Sequence, residues 1–243
     1  MAENTDEKFL EEYLKLINRV ENDPKWQSTN PLLDIPAMKA QHAAGVAAVQ
    51  ATDTTFHPHQ INVNNRQDAY ALVKPRIRQA RSILRTCGAT ANEIDDGMTI
   101  IRKVLGQRAA PKANNNPNTP ENEADKSHSV SQLSYASQQG NIRSLGEYFG
   151  NVAKYKPNEA DVKAQDFIDL AAALDGHNQK VGKSFVPWKA ALGTRDELLY
   201  NNPDSIFEVA KLAKEYYKGV YDGKGEQYRM VAALRFKKPK QKK

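Results

Sequence analysis

The chain has a single cysteine, Cys87, in 243 residues, which excludes an intramolecular disulfide framework and any cysteine-only zinc site. It has no run of about 18 apolar residues, so no segment reads as a membrane span. The first residues, MAENTDEKFLEEYLKL, are acidic where a secretory leader would begin basic and continue apolar. The expected location is therefore the cytoplasm. No Ser/His/Asp order, no phosphate-cradling glycine loop and no HExxH pair is found. The expectation is a non-enzymatic protein with no cofactor and no metal.

Excess charge is also missing from the body of the chain. The sequence carries 35 Lys and Arg against 29 Asp and Glu, a balance that invites a nucleic-acid reading. The last nine residues, RFKKPKQKK, hold six of the bases and no acid, so residues 1–234 are neutral. Lys237, Lys238, Lys240, Lys242 and Lys243 thus form a candidate nucleic-acid tail that would neutralise phosphates without reading sequence.

What is present is helical spacing. Leu10, Tyr13, Leu14, Ile17 and Val20 share one face of a first helix, with Asn4 and Glu7 in capping-box register. NDPKWQSTNPLL reads as an extended connection from which Trp26 packs on the body. Between Asp34 and Arg85 strand-like alternation is absent and an Ala-rich run favours helix, with a kink or break expected at Pro58 and at Pro75. Gly88 ends one helix and Thr90, with Glu93, caps the next. Residues 107–127 hold three prolines and almost nothing to bury, so they are expected to be a flexible linker. Helical spacing resumes over 130–152, and a long helix is expected from Pro157 or Asn158 to about Tyr200. Asn201-Asn202-Pro203-Asp204 ends it, Asp204 or Ser205 caps an amphipathic helix over 206–217, and a turn at 222–225 precedes a short last helix.

Two stretches share a skeleton. Phe56, Pro58 and Arg66 recur as Phe185, Pro187 and Arg195, all displaced by 129 residues. Three matched, chemically unlike residues in one window point to an internal duplication. The expected organisation is all-α, with two related antiparallel helical-bundle halves containing long, proline-kinked helices. Its segments are an N-terminal helix and connection over 1–33, a first half over 34–106, the linker, a second half over 128–236 and the basic tail over 237–243. The six repeated residues form an architectural joint, in which each arginine is placed to hydrogen-bond carbonyls released by the proline.

The segments RSILRTCGATANEIDDGMTIIRKVLGQRA, SVSQLSYASQQGNIRSL, YKPNEADVKA, GTRDELLYNNPDSIFEVAKLAKEYYK and GEQYRMVAALRF, in that order, resemble a family of uncharacterised all-helical proteins from Bacteroidetes bacteria. The resemblance spans most of residues 35–236. It implies a fold and brings no functional residues with it.

Other chemical candidates read as structural. In a helix His57 and His59 point about 200° apart and cannot share a metal; their counterparts Val186 and Trp188 indicate a need for bulk. His42, His128 and His177 match no zinc spacing. Cys87 precedes a helix-ending glycine, where the dipole opposes a thiolate. Asp95-Asp96 fits a first helical turn and Arg195-Asp196-Glu197 a solvated face. The function expected on these grounds is a helical protein-interaction or scaffold module, partnered by another protein or by itself. The alternative is nonspecific nucleic-acid association through the tail, with Tyr216, Tyr217, Tyr221 and Tyr228 nearby.

Overall fold

The computed structural model describes residues 5–107 and 134–239. Among them the regular elements are helices: α1 (Thr5–Glu21), α2 (Ile35–Ala71), α3 (Val73–Thr86), α4 (Ala91–Leu105), α5 (Tyr135–Asn151), α6 (Ala164–Asp196), α7 (Ile206–Val220) and α8 (Glu226–Ala233), with a 3₁₀ turn at Pro31–Leu33 and a π turn at Glu197–Asn201. The chain is all-α over this range, and no described helix is long and apolar enough to cross a membrane. Asn4, most of the 107–127 linker, His128 and the last four residues lie outside the described range.

Local chemistry accounts for most ends. The Thr90 hydroxyl accepts the Glu93 amide while Glu93 reaches back to the Thr90 N–H, completing the capping box. Gly88, at φ 82°, follows α3 in the left-handed conformation that glycine adopts without a Cβ clash. Ser205 is the N-cap of α7. Helix α2 continues through Pro58 and α6 through Pro187: each proline removes one donor, and Thr54 and Lys183, whose carbonyls lose their partner, are exposed where water can bond them. A break does accompany Pro75: α2 ends at Ala71, α3 begins at Val73, and Pro75 falls in the first turn of α3, where its missing N–H costs nothing. Helix α6 begins at Ala164 rather than at Pro157 or Asn158, with Asp166 accepting the Lys163 N–H as the helix starts.

The chain divides into two compact units, Met1–His59 with Ser184–Lys243 and Gln60–Lys183. This is not the sequential division into 34–106 and 128–236. Each sequence half contributes to both units, because α2 and α6, at 37 and 33 residues, are each long enough to enter two cores. In the first unit Phe9, Tyr13, Leu16, Ile17, Met38, Leu199, Ile206 and Tyr217 form the core, and Trp26 packs against it from the connection. In the second, Ile77, Leu84, Ile101, Ile142, Leu145, Phe149, Phe167 and Leu174 do so. Several pairs of positions 129 residues apart are buried one in each core: Leu16 and Leu145, Leu33 and Val162, Met38 and Phe167, Ile77 and Ile206. Two hydrogen bonds recur at the same displacement: Trp26 Nε1 donates to the Leu33 carbonyl at 3.1 Å, and the Tyr155 hydroxyl to the Val162 carbonyl at 2.9 Å.

Gly146 shows how tightly the second unit is packed. A Cβ there would lie 2.9 Å from the Ala164 carbonyl oxygen and 3.0 Å from the Ile168 nitrogen, both backbone atoms, whereas Gly140 in the same helix has nothing within 4 Å. Gly146→Ala is expected to destabilise by about 1–3 kcal/mol through overpacking. Gly140→Ala should stabilise by about 0.5–1 kcal/mol, because an open helical glycine gains from alanine. Urea unfolding of the two variants would reveal opposite signs; a shared sign would refute this account of α5.

Candidate functional site

The joint residues fall into three places. Phe56, Pro58, Phe185 and Pro187 lie together in the first unit, Arg195 lies further along α6 in that unit, and Arg66 belongs to the second. Around the prolines the rings form a reciprocal cluster. Phe56 meets Trp188 at 5.5 Å between centroids, His59 meets Phe185 at 5.7 Å, and His59 stacks on Trp188 at 4.9 Å and 17°. Positions 56 and 185, and 59 and 188, are each 129 residues apart, so the first two contacts exchange under that displacement. Ser184 Oγ lies 3.2 Å from His59 Nδ1, and Lys189 stands over the rings of Phe185 and Trp188. His59 is buried and stacked on Trp188. Bulk is not needed at His57, which is exposed, or at Val186, which is 66 % exposed. Phe185 also remains 42 % exposed.

The arginines do not bridge carbonyls released by proline. Arg195 Nη1 pairs with Asp6 of α1 at 3.1 Å and its Nη2 with Asp196 at 2.6 Å, while the Tyr200 hydroxyl donates to Asp6 at 2.7 Å. Burial and the adjoining Asp6 carboxylate push Tyr200 far above the ordinary phenol range. In the second unit Arg66 sits 4.0 Å over the ring of Tyr135, and Tyr70 donates to the Tyr135 carbonyl at 2.7 Å. Residues 6 and 135 are themselves 129 apart; Arg195 contacts the first turn of α1 through a carboxylate, and Arg66 the first turn of α5 through a ring. A proline-distance argument cannot find these partners, because they come from a helix far away in the chain.

The tail is partly engaged. Lys238 pairs with Glu208 at 3.5 Å and stands over Phe207, and Phe236 packs edge-on against Phe9. The ammonium of Lys214 donates to the carbonyls of Ala232 and Leu234. Lys237 is exposed, and Lys240, Lys242 and Lys243 lie outside the described residues. Of the four nearby tyrosines, Tyr217 and Tyr221 both donate to the Asp23 carboxylate. Burial raises the Asp23 pKa, but those two bonds and the Lys25 N–H outweigh it and hold the carboxyl below its usual range.

The remaining candidates are quiet. Cys87 is half-buried and its thiol donates to the Leu84 carbonyl at 3.3 Å. Asp95 lies beyond the first turn of α4, within 3.9 Å of Arg102, so the acid beside the helix start is Glu93 instead. Among the described residues no group of three or more His, Cys, Asp or Glu is placed to hold a metal. No family model, curated protein or solved structure matches the chain.

Proposed function

We propose that the protein is a non-enzymatic helical interaction module built from two related halves. The observation that carries this reading is the exposure of Phe185 and Val186, large apolar side chains adjacent on α6 beside a stacked aromatic cluster that holds them in place. Apolar groups fixed at a surface gain free energy when a partner covers them, by about 25 cal/mol for each Å² removed from water. The kinship of the halves is supported by the recurrence, at one displacement, of buried positions, ring contacts and side-chain hydrogen bonds. The partner is another protein or a second copy of this chain.

Val186→Glu tests this directly. The substitution places a charge on the exposed flank, so folding stability is expected to change by no more than about 0.5 kcal/mol. Co-purification of a stoichiometric partner from native lysate, or self-association in sedimentation, is expected for the natural chain and lost in the variant. A natural chain that sediments as a monomer and captures no partner refutes the reading. Nonspecific nucleic-acid binding through the tail is the second reading, and the engagement of Lys238 by Glu208 leaves it less of the tail to act through.

A further inference from the structure

We propose that the groove between α1 and α8 docks an acidic, amphipathic peptide segment of a partner protein. This rests on the reading of the protein as an interaction module and specifies the partner's chemistry.

Three adjoining cavities mark the groove, all within the first unit. One of about 420 Å³ lies at the C-terminal end of α1, lined by Asn22, Asp23, Lys25, Tyr221 and Gln227. The next, about 290 Å³, shares Asn18, Arg19 and Met230 with it and adds Lys15 and Leu234. The third, about 410 Å³, is lined by Lys8, Phe9, Glu12, Ala233, Arg235 and Lys237 at the start of α1. Lys8, Glu12, Lys15, Arg19 and Asn22 are spaced by three or four residues, so one face of α1 forms a whole wall. At about 1.5 Å per residue that wall is about 21 Å long.

Its charge is one-sided. Six cations line it, namely Lys8, Lys15, Arg19, Lys25, Arg235 and Lys237, against the carboxylates Glu12 and Asp23. Both acids are already committed. Asp23 accepts the Tyr217 and Tyr221 hydroxyls and the Lys25 N–H, and Glu12 accepts Lys15 and the Arg235 N–H. Adding Glu11, which shares Lys15 at 2.8 Å, still leaves twice as many cations as acids. The floor is apolar where Phe9, Met230, Ala233 and Leu234 line it. Cationic rims over an apolar floor complement a segment with acids on its flanks and apolar residues on one face. A single-stranded nucleic acid fits less well, because it needs free aromatic faces for its bases. Phe9 is only 5 % exposed, and Tyr221 is tied to Asp23 beneath the Lys25 ammonium.

The test uses three labelled probes against the full chain at about 50 and 200 mM salt: a fourteen-residue Glu-rich peptide with leucine at every third or fourth position, its all-Glu counterpart, and a dT15 oligonucleotide. The Glu/Leu peptide is expected to bind at least tenfold more tightly than the all-Glu peptide, and to weaken as salt rises. The double variant Lys25→Glu/Lys237→Glu, altered at both ends of the groove, should lose tenfold or more. Lys211→Glu/Lys218→Glu, an equal charge change on exposed α7 lysines, should lose less than threefold. Equal losses in the two variants, equal binding of the two peptides, or tighter groove-dependent binding of the oligonucleotide would each overturn the proposal. Val186→Glu is measured alongside: a chain that captures a partner through Val186 yet ignores the peptide refutes the groove alone, and one that does neither refutes both.

Discussion

Raising the pH from about 9 to 12 is expected to unfold the protein cooperatively, with the most deeply buried tyrosines ionising only as it unfolds. The chain has ten tyrosines. Tyr13, Tyr155, Tyr200 and Tyr217 are no more than 4 % exposed, and burial pushes each well above the ordinary phenol range. Their hydroxyls all donate: to Gln41 Oε1, the Val162 carbonyl, Asp6 and Asp23 respectively. A phenolate in any of these places would face an oxygen acceptor with no proton between them.

The sign follows from which state holds the proton. Unfolded tyrosines ionise near pH 10 while these four keep their protons in the fold, so the stability is fully present below about pH 10 and falls as pH rises beyond it. Each such group removes about 1.4 kcal/mol per pH unit. Four remove about 11 kcal/mol over two units, comparable to the whole stability of an ordinary domain, about 5–15 kcal/mol. Absorbance at 295 nm should show these four tyrosines ionising only as helical ellipticity is lost. Tyr155→Phe should make the alkaline decline shallower by about a quarter. All ten titrating together near pH 10, with ellipticity intact, would show that these hydroxyls are not held as described.

The periodic parts of this fold were legible in sequence because helix ends and apolar faces are local. The Thr90–Glu93 box, the glycine after α3 and the short helix after the 222–225 turn depend on residues within a few positions of one another. The helix break ahead of Pro75 was legible, whereas whether water reaches the carbonyls freed by Pro58 and Pro187, as it can at Thr54 and Lys183, depends on packing that a single proline does not reveal. The partition into units was not legible at all. It depends on which core each end of α2 and α6 enters, and a hydrophobic stripe does not name its partner. The groove has the same origin. Its α1 wall is visible as spaced Lys8, Lys15 and Arg19, but the opposite wall comes from Gln227 to Lys237, more than 200 residues later. The tail lysines were noticed for their number alone, and what matters for Lys237 and Lys238 is that the segment carrying them returns against α1 and α7.

Arg195→Ala is expected to destabilise by about 2–4 kcal/mol, lowering Tm by about 5–12 °C in a chain of this size. The pair it breaks is well enclosed, with side chains 20 % and 10 % exposed for Arg195 and Asp6, so truncation leaves the Asp6 carboxylate without its guanidinium in a poorly hydrated place. Lys211→Ala, at a lysine 71 % exposed, should change stability by less than about 0.5 kcal/mol. Adding Asp6→Asn to Arg195→Ala should recover part of the loss, since the side chain that lost its guanidinium is then neutral. Arg66→Ala removes a cation from a ring rather than from a carboxylate, and should cost a smaller amount, about 0.5–2 kcal/mol. The ranking matters more than any one value. If both arginines are braces at equivalent places and only their partners differ, the loss should follow the partner's charge, Asp6 above Tyr135. Melts in which Arg195→Ala matches Lys211→Ala would mean that α1 is held on the first unit by its apolar face alone, and melts in which Arg66→Ala is the costlier change would mean that the loss does not follow the partner's charge.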